Sequence, residues 1–418
     1  MFKARAFARP HPESLIISGL LTILVALGQI ATGTYLPSLP SLVVDLQATP
    51  AQVNLTLTVF LAAFAVSQLI YGPLSDRFGR RRVLLGGLCV YLAASVACAF
   101  APDIESLIAA RFAQAVGACS GPIIGRAIVR DVYGRERAAK VLSYLGVAFA
   151  VSPAIMPIIG GYLQVWFGWR AVFLFLSVVA GSVLFAVAFI LDETNRNPDR
   201  RALDIAGIGR NYRMLLGSAE YLGYAFAVAF VFAGLMAYIA TSPFLFIDTF
   251  GLRPDQYGLL AAFNVTGFLA GNLTSGRFTM RVGVERMVLL GVSLSLAGGL
   301  TMVATALLGG VGVLAVIFPM ILFLTGMGLV FPNAMAGALG PFPRAAGAAS
   351  ALLGFFQMTA AAASSVVAGL LAHTTQLPMA LSITAVSAAA FLAFITLSWP
   401  HRNVKAEDRE PRRDARPR

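Results

Sequence analysis

Twelve apolar stretches, each about 20 residues or longer, fill most of the 418-residue chain, and as helices each is long enough to cross the roughly 30 Å hydrocarbon core of a bilayer. They lie near residues 15–36, 52–74, 83–101, 104–125, 140–163, 169–191, 221–247, 256–276, 285–308, 311–335, 347–372 and 378–399. Backbone that crosses lipid must satisfy its own hydrogen bonds, and runs of this length do so as helices. The pattern predicts an all-α membrane protein with twelve transmembrane helices. The composition, 58% hydrophobic and 12% charged, excludes a soluble globular class.

The spacing of charge predicts orientation. Nearly all of the 31 Lys and Arg residues fall in the two tails and in every second loop, whereas the alternate loops carry only Arg170 and Arg253 and a single arginine, Arg111, lies inside a span. The positive-inside bias then places both termini in the cytoplasm. It also accounts for the net charge of +12 without a nucleic-acid partner. The basic start, with Lys3, Arg5 and Arg9, reads as the flank of an uncleaved first helix. Cys89, Cys98 and Cys119 all fall in apolar spans and read as buried packing residues.

A polar segment between Asp192 and Ser218 divides the spans six and six. The expected domains are therefore a six-helix bundle at 1–191, a cytoplasmic linker at 192–218, a second six-helix bundle at 219–400 and a basic disordered tail at 401–418. An internal repeat supports two pseudo-symmetric halves: Gly72, Arg77, Gly79, Arg82 and Gly87 recur as Gly276, Arg281, Gly283, Arg286 and Gly291, each displaced by 204 positions. Asp76 maps onto Met280, so the second copy lacks the carboxylate. Parallel six-helix repeats are an architecture of alternating-access transporters.

The first copy, GPLSDRFGRRRVLLGG at 72–87, reads as a hinge between two antiparallel membrane helices. Taken singly, its arginines are a solvated basic loop. Taken whole, the pattern Gly72, Asp76, Arg77, Gly79, Arg80 and Arg81 reads as a conformational switch, with Asp76 facing a neighbouring helix N-terminus and the guanidinium groups pairing with carboxylates or lipid phosphates.

Inside the spans, Arg111 is the one full charge at depth, with Gln114 three positions on and on the same helix face. It either snorkels to the headgroups or faces a partner. Gln29 and Thr32 share a face of the first span, Tyr238, Thr241 and Ser242 share one in the seventh, and Asn264, Asn333 and Gln357 stand singly. Each alone suits an interhelical hydrogen bond; with Gln114, as a set facing one cavity, they are candidate substrate contacts. The fifth span carries Pro153, Pro157, Gly160 and Gly161, the marks of a kinked helix packed closely at an interface, with a merely bent helix as the alternative. No Asp or Glu falls in the middle of a span, and no metal cluster, nucleophile–base set or phosphate loop occurs, so neither an enzyme nor a cofactor is indicated.

GPLSDRFGRR at 72–81 resembles the GxLaDrxGrr signature of the major facilitator superfamily, and RFAQAVG at 111–117 resembles its fourth-helix RxxQ motif. YLPSLP at 35–40, RAIVRD at 126–131, GWR at 168–170, SPF at 242–244, FPNA at 331–334 and GAASALLG at 347–354 are similar to the bicyclomycin-resistance (Bcr/CflA) drug–proton antiporters. The resemblance implies proton-driven efflux of small amphipathic molecules across the bacterial inner membrane, with membrane lipids and protons as further partners. The chain departs from that pattern in two places. Thr32, Gly33 and Thr34 stand where the family usually carries an acid before Tyr-Leu-Pro, and Ser152 and Met156 replace glycines of the fifth-helix antiporter motif. Coupling is then either weak or carried by water near Arg111, with Asp131, beside Arg130, the acid closest to a span in that half and the better candidate for a structural role. A metabolite exporter without proton coupling and a non-transporting membrane sensor or assembly protein are the alternatives.

Overall fold

The computed structural model describes residues 15–195, 198–199, 202–310, 312–371 and 375–399. Thirteen α-helices make up almost all of it. The first seven are α1 (Leu15–Gly33), α2 (Leu39–Asp45), α3 (Pro50–Phe78), α4 (Arg80–Ala99), α5 (Ile104–Phe167), α6 (Trp169–Ile190) and α7 (Ile205–Leu216). The rest are α8 (Ala219–Pro243), α9 (Pro254–Val282), α10 (Val284–Leu307), α11 (Val313–Leu339), α12 (Ala346–Leu370) and α13 (Leu377–Ala393). Among the described residues, ten helices are long and apolar enough to cross a membrane. Val151–Phe167 is apolar but shorter, and α9 is long enough but diluted by Asn264, Thr266, Asn272, Thr274 and Ser275.

Local chemistry explains the boundaries. Thr49 and Gln52 form a reciprocal capping box ahead of α3, the Thr49 N–H donating to Gln52 Oε1 at 2.9 Å and the Gln52 N–H to Thr49 Oγ1 at 3.2 Å, with Pro50 at the first helical position. At its far end α3 runs on to Phe78 and α4 begins at Arg80. The hinge expected over 72–87 is thus a single residue, Gly79, whose φ of 98° is open to glycine and strained for any other residue. Gly283, its counterpart in the repeat, has φ 93° and ψ 151° against 98° and 148° for Gly79. The repeat therefore extends from sequence to backbone.

Two expectations are corrected here. The fourth and fifth spans are not separated by a loop: helix continues from Ile104 to Phe167. A straight helix of 64 residues would be about 96 Å long, yet Arg170 just beyond its end donates to the Ala101 carbonyl just before its start at 3.4 Å. The element therefore doubles back within its length. Cys89 is exposed, unlike buried Cys98 and Cys119, because it lies on the outer face of α4. The polar linker also contains a helix, α7. The basic tail at 401–418 and Lys3, Arg5 and Arg9 lie outside the described residues.

Contacts cluster into two compact units. The first joins Met1–Asp204 with Ile239–Val265 and Ser365–Thr375, so ends of α8, α9 and α12 pack with the first-half helices. Close backbone approach makes this possible. A Cβ on Gly160 would strike the Thr34 carbonyl, one on Gly161 would strike the Pro254 carbonyl, and one on Gly258 would strike the Pro157 carbonyl. Gly160 and Gly161 therefore let the chain after α1 and the first turns of α9 approach α5 closely. The second unit comprises Ile205–Tyr238, Thr266–Ser364 and Gln376–Arg418. Its interior includes Phe331 between Phe232 and Phe268, with ring centroids 6.1 and 6.2 Å away. On the outside, large apolar side chains such as Val178, Phe185, Phe189, Leu273 and Phe318 stand exposed, a surface suited to lipid.

Candidate functional site

The deepest unusual group is Arg111 on α5. Its side chain is 0% exposed, and among the described residues none of its contacts is a carboxylate. One terminal nitrogen donates to Gln114 Oε1 at 2.6 Å, and Gln114 Nε2 donates in turn to Ser95 Oγ at 2.8 Å on α4. Three rings surround the guanidinium: Phe60 at 4.2 Å, Tyr35 at 4.7 Å and Phe173 at 6.0 Å to their centroids. Tyr35 is fixed by a hydrogen bond of 2.7 Å between its hydroxyl and Thr56 Oγ1. Among the described residues, Arg111 Nε and its second terminal nitrogen have no hydrogen-bond partner. Each cation–π contact contributes about 0.5–2 kcal/mol and the charged hydrogen bond about 1.5–3, while an uncompensated buried charge costs several kcal/mol. The arrangement holds a cation in apolar surroundings with donors to spare.

The second constellation is at the Gly79 end. Arg80 reaches Asp76 at 2.5 Å, Asp131 Oδ2 through Nε at 3.0 Å and Ser75 Oγ at 2.7 Å, tying the end of α3 to α5. The carboxylate on the N-terminus of α4 is Glu193, not Asp76. It accepts from the Arg80 N–H at 2.8 Å and the Arg81 N–H at 3.1 Å, where orphan amides and the helix dipole favour an anion. Asp76 lies in the last turn of α3, one turn before Arg80, so its side chain takes that arginine, while its carbonyl accepts from Asn195 Nδ2 at 2.8 Å and from the Asp199 N–H at 3.1 Å. Arg81 donates to the Ala188 carbonyl at 2.6 Å on α6. Arg77 is exposed beside Phe78, 5.3 Å from its ring, and Gly72 has open space around it. Sequence reasoning missed Glu193 because it sits in the linker, 113 positions from Arg80.

The structure separates the two residues assigned to proton coupling, Arg111 and Asp131, by twenty positions of α5, about 30 Å of helix. Asp131 serves Arg80 and accepts from Thr194 Oγ1 at 3.4 Å. The cavity candidates are divided. Gln114 serves Arg111; Thr32 donates to the Gly28 carbonyl at 2.9 Å; Gln29 is half-buried on α1. Ser242 shares a 3.0 Å hydrogen bond with Tyr257, and Asn264 is buried nearby in sequence on α9. Those five belong to the first unit, whereas Tyr238, buried, and Gln357, half-buried, belong to the second. Asn333 is fully engaged by Thr279, Ser275 and the Leu329 carbonyl at 2.7–2.9 Å, a packing role.

A bundle of apolar helices with a repeated glycine hinge, a charged network at that hinge and a buried cation is the build of a membrane transport protein. The sequence profile of the Major Facilitator Superfamily matches residues 21–253. The bicyclomycin resistance protein homolog of Haemophilus influenzae is 30% identical over 392 residues, 94% of this chain and 97% of the relative. Multidrug resistance protein D of Escherichia coli K12 is 31% identical over 381 residues, 91% of this chain and 95% of the relative. A chloramphenicol resistance protein of Pseudomonas aeruginosa is 30% identical over 335 residues, 80% of this chain. The chain belongs to the major facilitator superfamily. It is a multi-pass transport protein of the bacterial inner membrane, and not an enzyme.

Proposed function

We propose that this protein exports small amphipathic drug-like molecules by alternating access, driven by proton antiport, through twelve spans with both termini in the cytoplasm. The observation that supports the reading is the site around Arg111: a fully buried guanidinium with unpaired donors and, among the described residues, no carboxylate partner. Such a group holds water or a substrate acceptor beside it and biases where a proton resides. The relatives named for resistance to bicyclomycin, to chloramphenicol and to multiple drugs support the substrate class. In this reading, Asp131 and Asp76 are latch residues around Arg80, and the amide and hydroxyl groups of Gln29, Thr32, Gln114, Ser242 and Asn264 are the candidate substrate contacts of the first unit, with Tyr238 and Gln357 those of the second. Expression in a pump-deficient host, challenged with bicyclomycin, chloramphenicol and chemically unrelated antibiotics, tests it. Raised resistance and lowered accumulation of at least one compound are expected; sensitivity unchanged throughout the panel contradicts export of drugs.

Orientation has its own test. A cysteine placed at Ser106, in the first turn of α5, is expected to react in intact cells with an impermeant thiol reagent, and one at Ser218, ahead of α8, is not. Labelling of Ser218→Cys from outside reverses the topology.

One observation favours export without protons. At Gly33, where the resemblance leads one to expect an acid nearby, an added Cβ would lie 2.9 Å from Met156 Cβ and 3.6 Å from Pro157 Cδ. The approach of α5 leaves no room there for a carboxylate. Dependence of flux on a pH gradient separates the two readings.

A further inference from the structure

At the Pro50 end of α3 a pocket of about 240 Å³ lies between that helix and the end of α12, both within the first unit. Ala51, Leu55, Val366 and Leu370 supply apolar walls. Gly369 supplies closeness: its missing Cβ would stand 3.1 Å from Asn54 Cβ. Thr58 Oγ1 donates to Ser365 Oγ at 3.0 Å and ties the two helices together beside the pocket. Gln52 is also at the rim, but its carbonyl is committed to the cap on Thr49.

The exception in this lining is Asn54. The residue is 1% exposed, and neither Oδ1 nor Nδ2 has a partner among the described residues. A carboxamide is one acceptor beside two donors, and burying both kinds unpaired is costly, so such a group in a natural chain calls for an explanation. It is no part of the Arg111 site or of the Arg80 network.

We propose that this pocket is a binding site for small neutral molecules that present an amide edge, a donor next to an acceptor as in lactams, primary amides and ureas, which pair with both functions of the Asn54 carboxamide while their hydrocarbon rests on Leu55, Val366 and Leu370. Charge has no counterpart in the lining, so ions are disfavoured. The volume, about eight waters' worth at roughly 30 Å³ each, sets the size at a single small ring. Because the walls come from both α3 and α12, an occupant stabilises the arrangement in which these two helices are packed.

The test uses the full-length protein in lipid nanodiscs, with protein-free nanodiscs as the control for partitioning, and two probes of the same ring size, ε-caprolactam and ε-caprolactone. The lactone keeps the acceptor and loses the N–H donor. Ligand-observed NMR is expected to show saturable lactam binding, with the lactone weaker by about fivefold, the worth of one neutral hydrogen bond. Asn54→Leu, which keeps the branched four-atom skeleton without the polar atoms, is expected to erase that preference, and its melting temperature, at or above that of the parent, shows that it folds. Equal binding of lactam and lactone by the unaltered protein, absence of saturable lactam binding, or a preference that survives in Asn54→Leu overturns the proposal. None of these readouts involves flux, so the site stands or falls apart from the transport reading.

Discussion

Replacement of Arg111 by methionine is expected to abolish transport while leaving the fold as stable as before or more so. The two halves of that statement rest on different terms. Removing the guanidinium leaves Gln114 Oε1 without its donor, at a cost of about 1–3 kcal/mol. It also removes a charge that is 0% exposed and carries two unpartnered nitrogens, which relieves a burial penalty of several kcal/mol. Methionine fills the space among Tyr35, Phe60 and Phe173 and makes favourable sulfur–aromatic contacts. The balance is neutral to stabilising. A residue that costs stability and is kept at the heart of a helical bundle is retained for what its charge does. Thermal unfolding of the purified variant, set beside flux in the same preparation, reads both terms: a melting temperature that collapses together with activity would make Arg111 a structural residue instead.

The Arg80 network gives the second large effect, with the opposite signature. Arg80 is 11% exposed and pairs with Asp76 and Asp131, which are 45% and 25% exposed. Arg80→Met leaves Asp76, Asp131 and Glu193 near one another with no cation between them. The loss is about 3 kcal/mol, the low end of the range for breaking a buried pair, because water re-solvates the two half-open aspartates. Both stability and transport are expected to fall. Asp76→Asn differs: the pair is exposed enough to contribute at most about 1 kcal/mol, so folding and insertion survive. A bias of about 1 kcal/mol still changes the ratio of two conformations roughly fivefold. Crosslinking of paired cysteines across the α3–α4 and α5 ends measures that ratio, and full transport with an unshifted ratio in Asp76→Asn would reduce the stretch to a topology signal. Asp131→Asn, which keeps the shape of the acceptor, is expected to slow flux without uncoupling it.

What the sequence made legible follows from how local the responsible physics is. The hinge was readable because glycines and arginines repeat at one displacement, and Gly79 and Gly283 share the backbone angles that such a repeat demands. The pairing of Arg111 with Gln114 was readable because three positions on a helix share a face. The rings around Arg111 were not: Tyr35, Phe60 and Phe173 come from three other stretches of chain, and apolar spans give no signal of which aromatic side chain turns inward. Glu193 escaped for the same reason, as a linker carboxylate brought by tertiary structure to a helix end. The helical character of the connection inside α5 was hidden because its polar residues read as a loop, although Ala, Arg and Glu between the fourth and fifth spans are good helix formers. Asn333 shows the limit of counting polar residues in spans, since a buried amide fully engaged by its neighbours is silent in chemistry.

The central claim is that a proton gradient drives export through this bundle, and purified protein in sealed proteoliposomes tests it most directly. With the lumen made acidic and a compound from the resistance panel outside, the account predicts accumulation above that of protein-free vesicles, collapse of that accumulation on adding a protonophore, and loss of it in Arg111→Met. Accumulation that equilibrates at the same level with and without the pH gradient would contradict proton antiport, and absence of any protein-dependent flux would contradict transport itself.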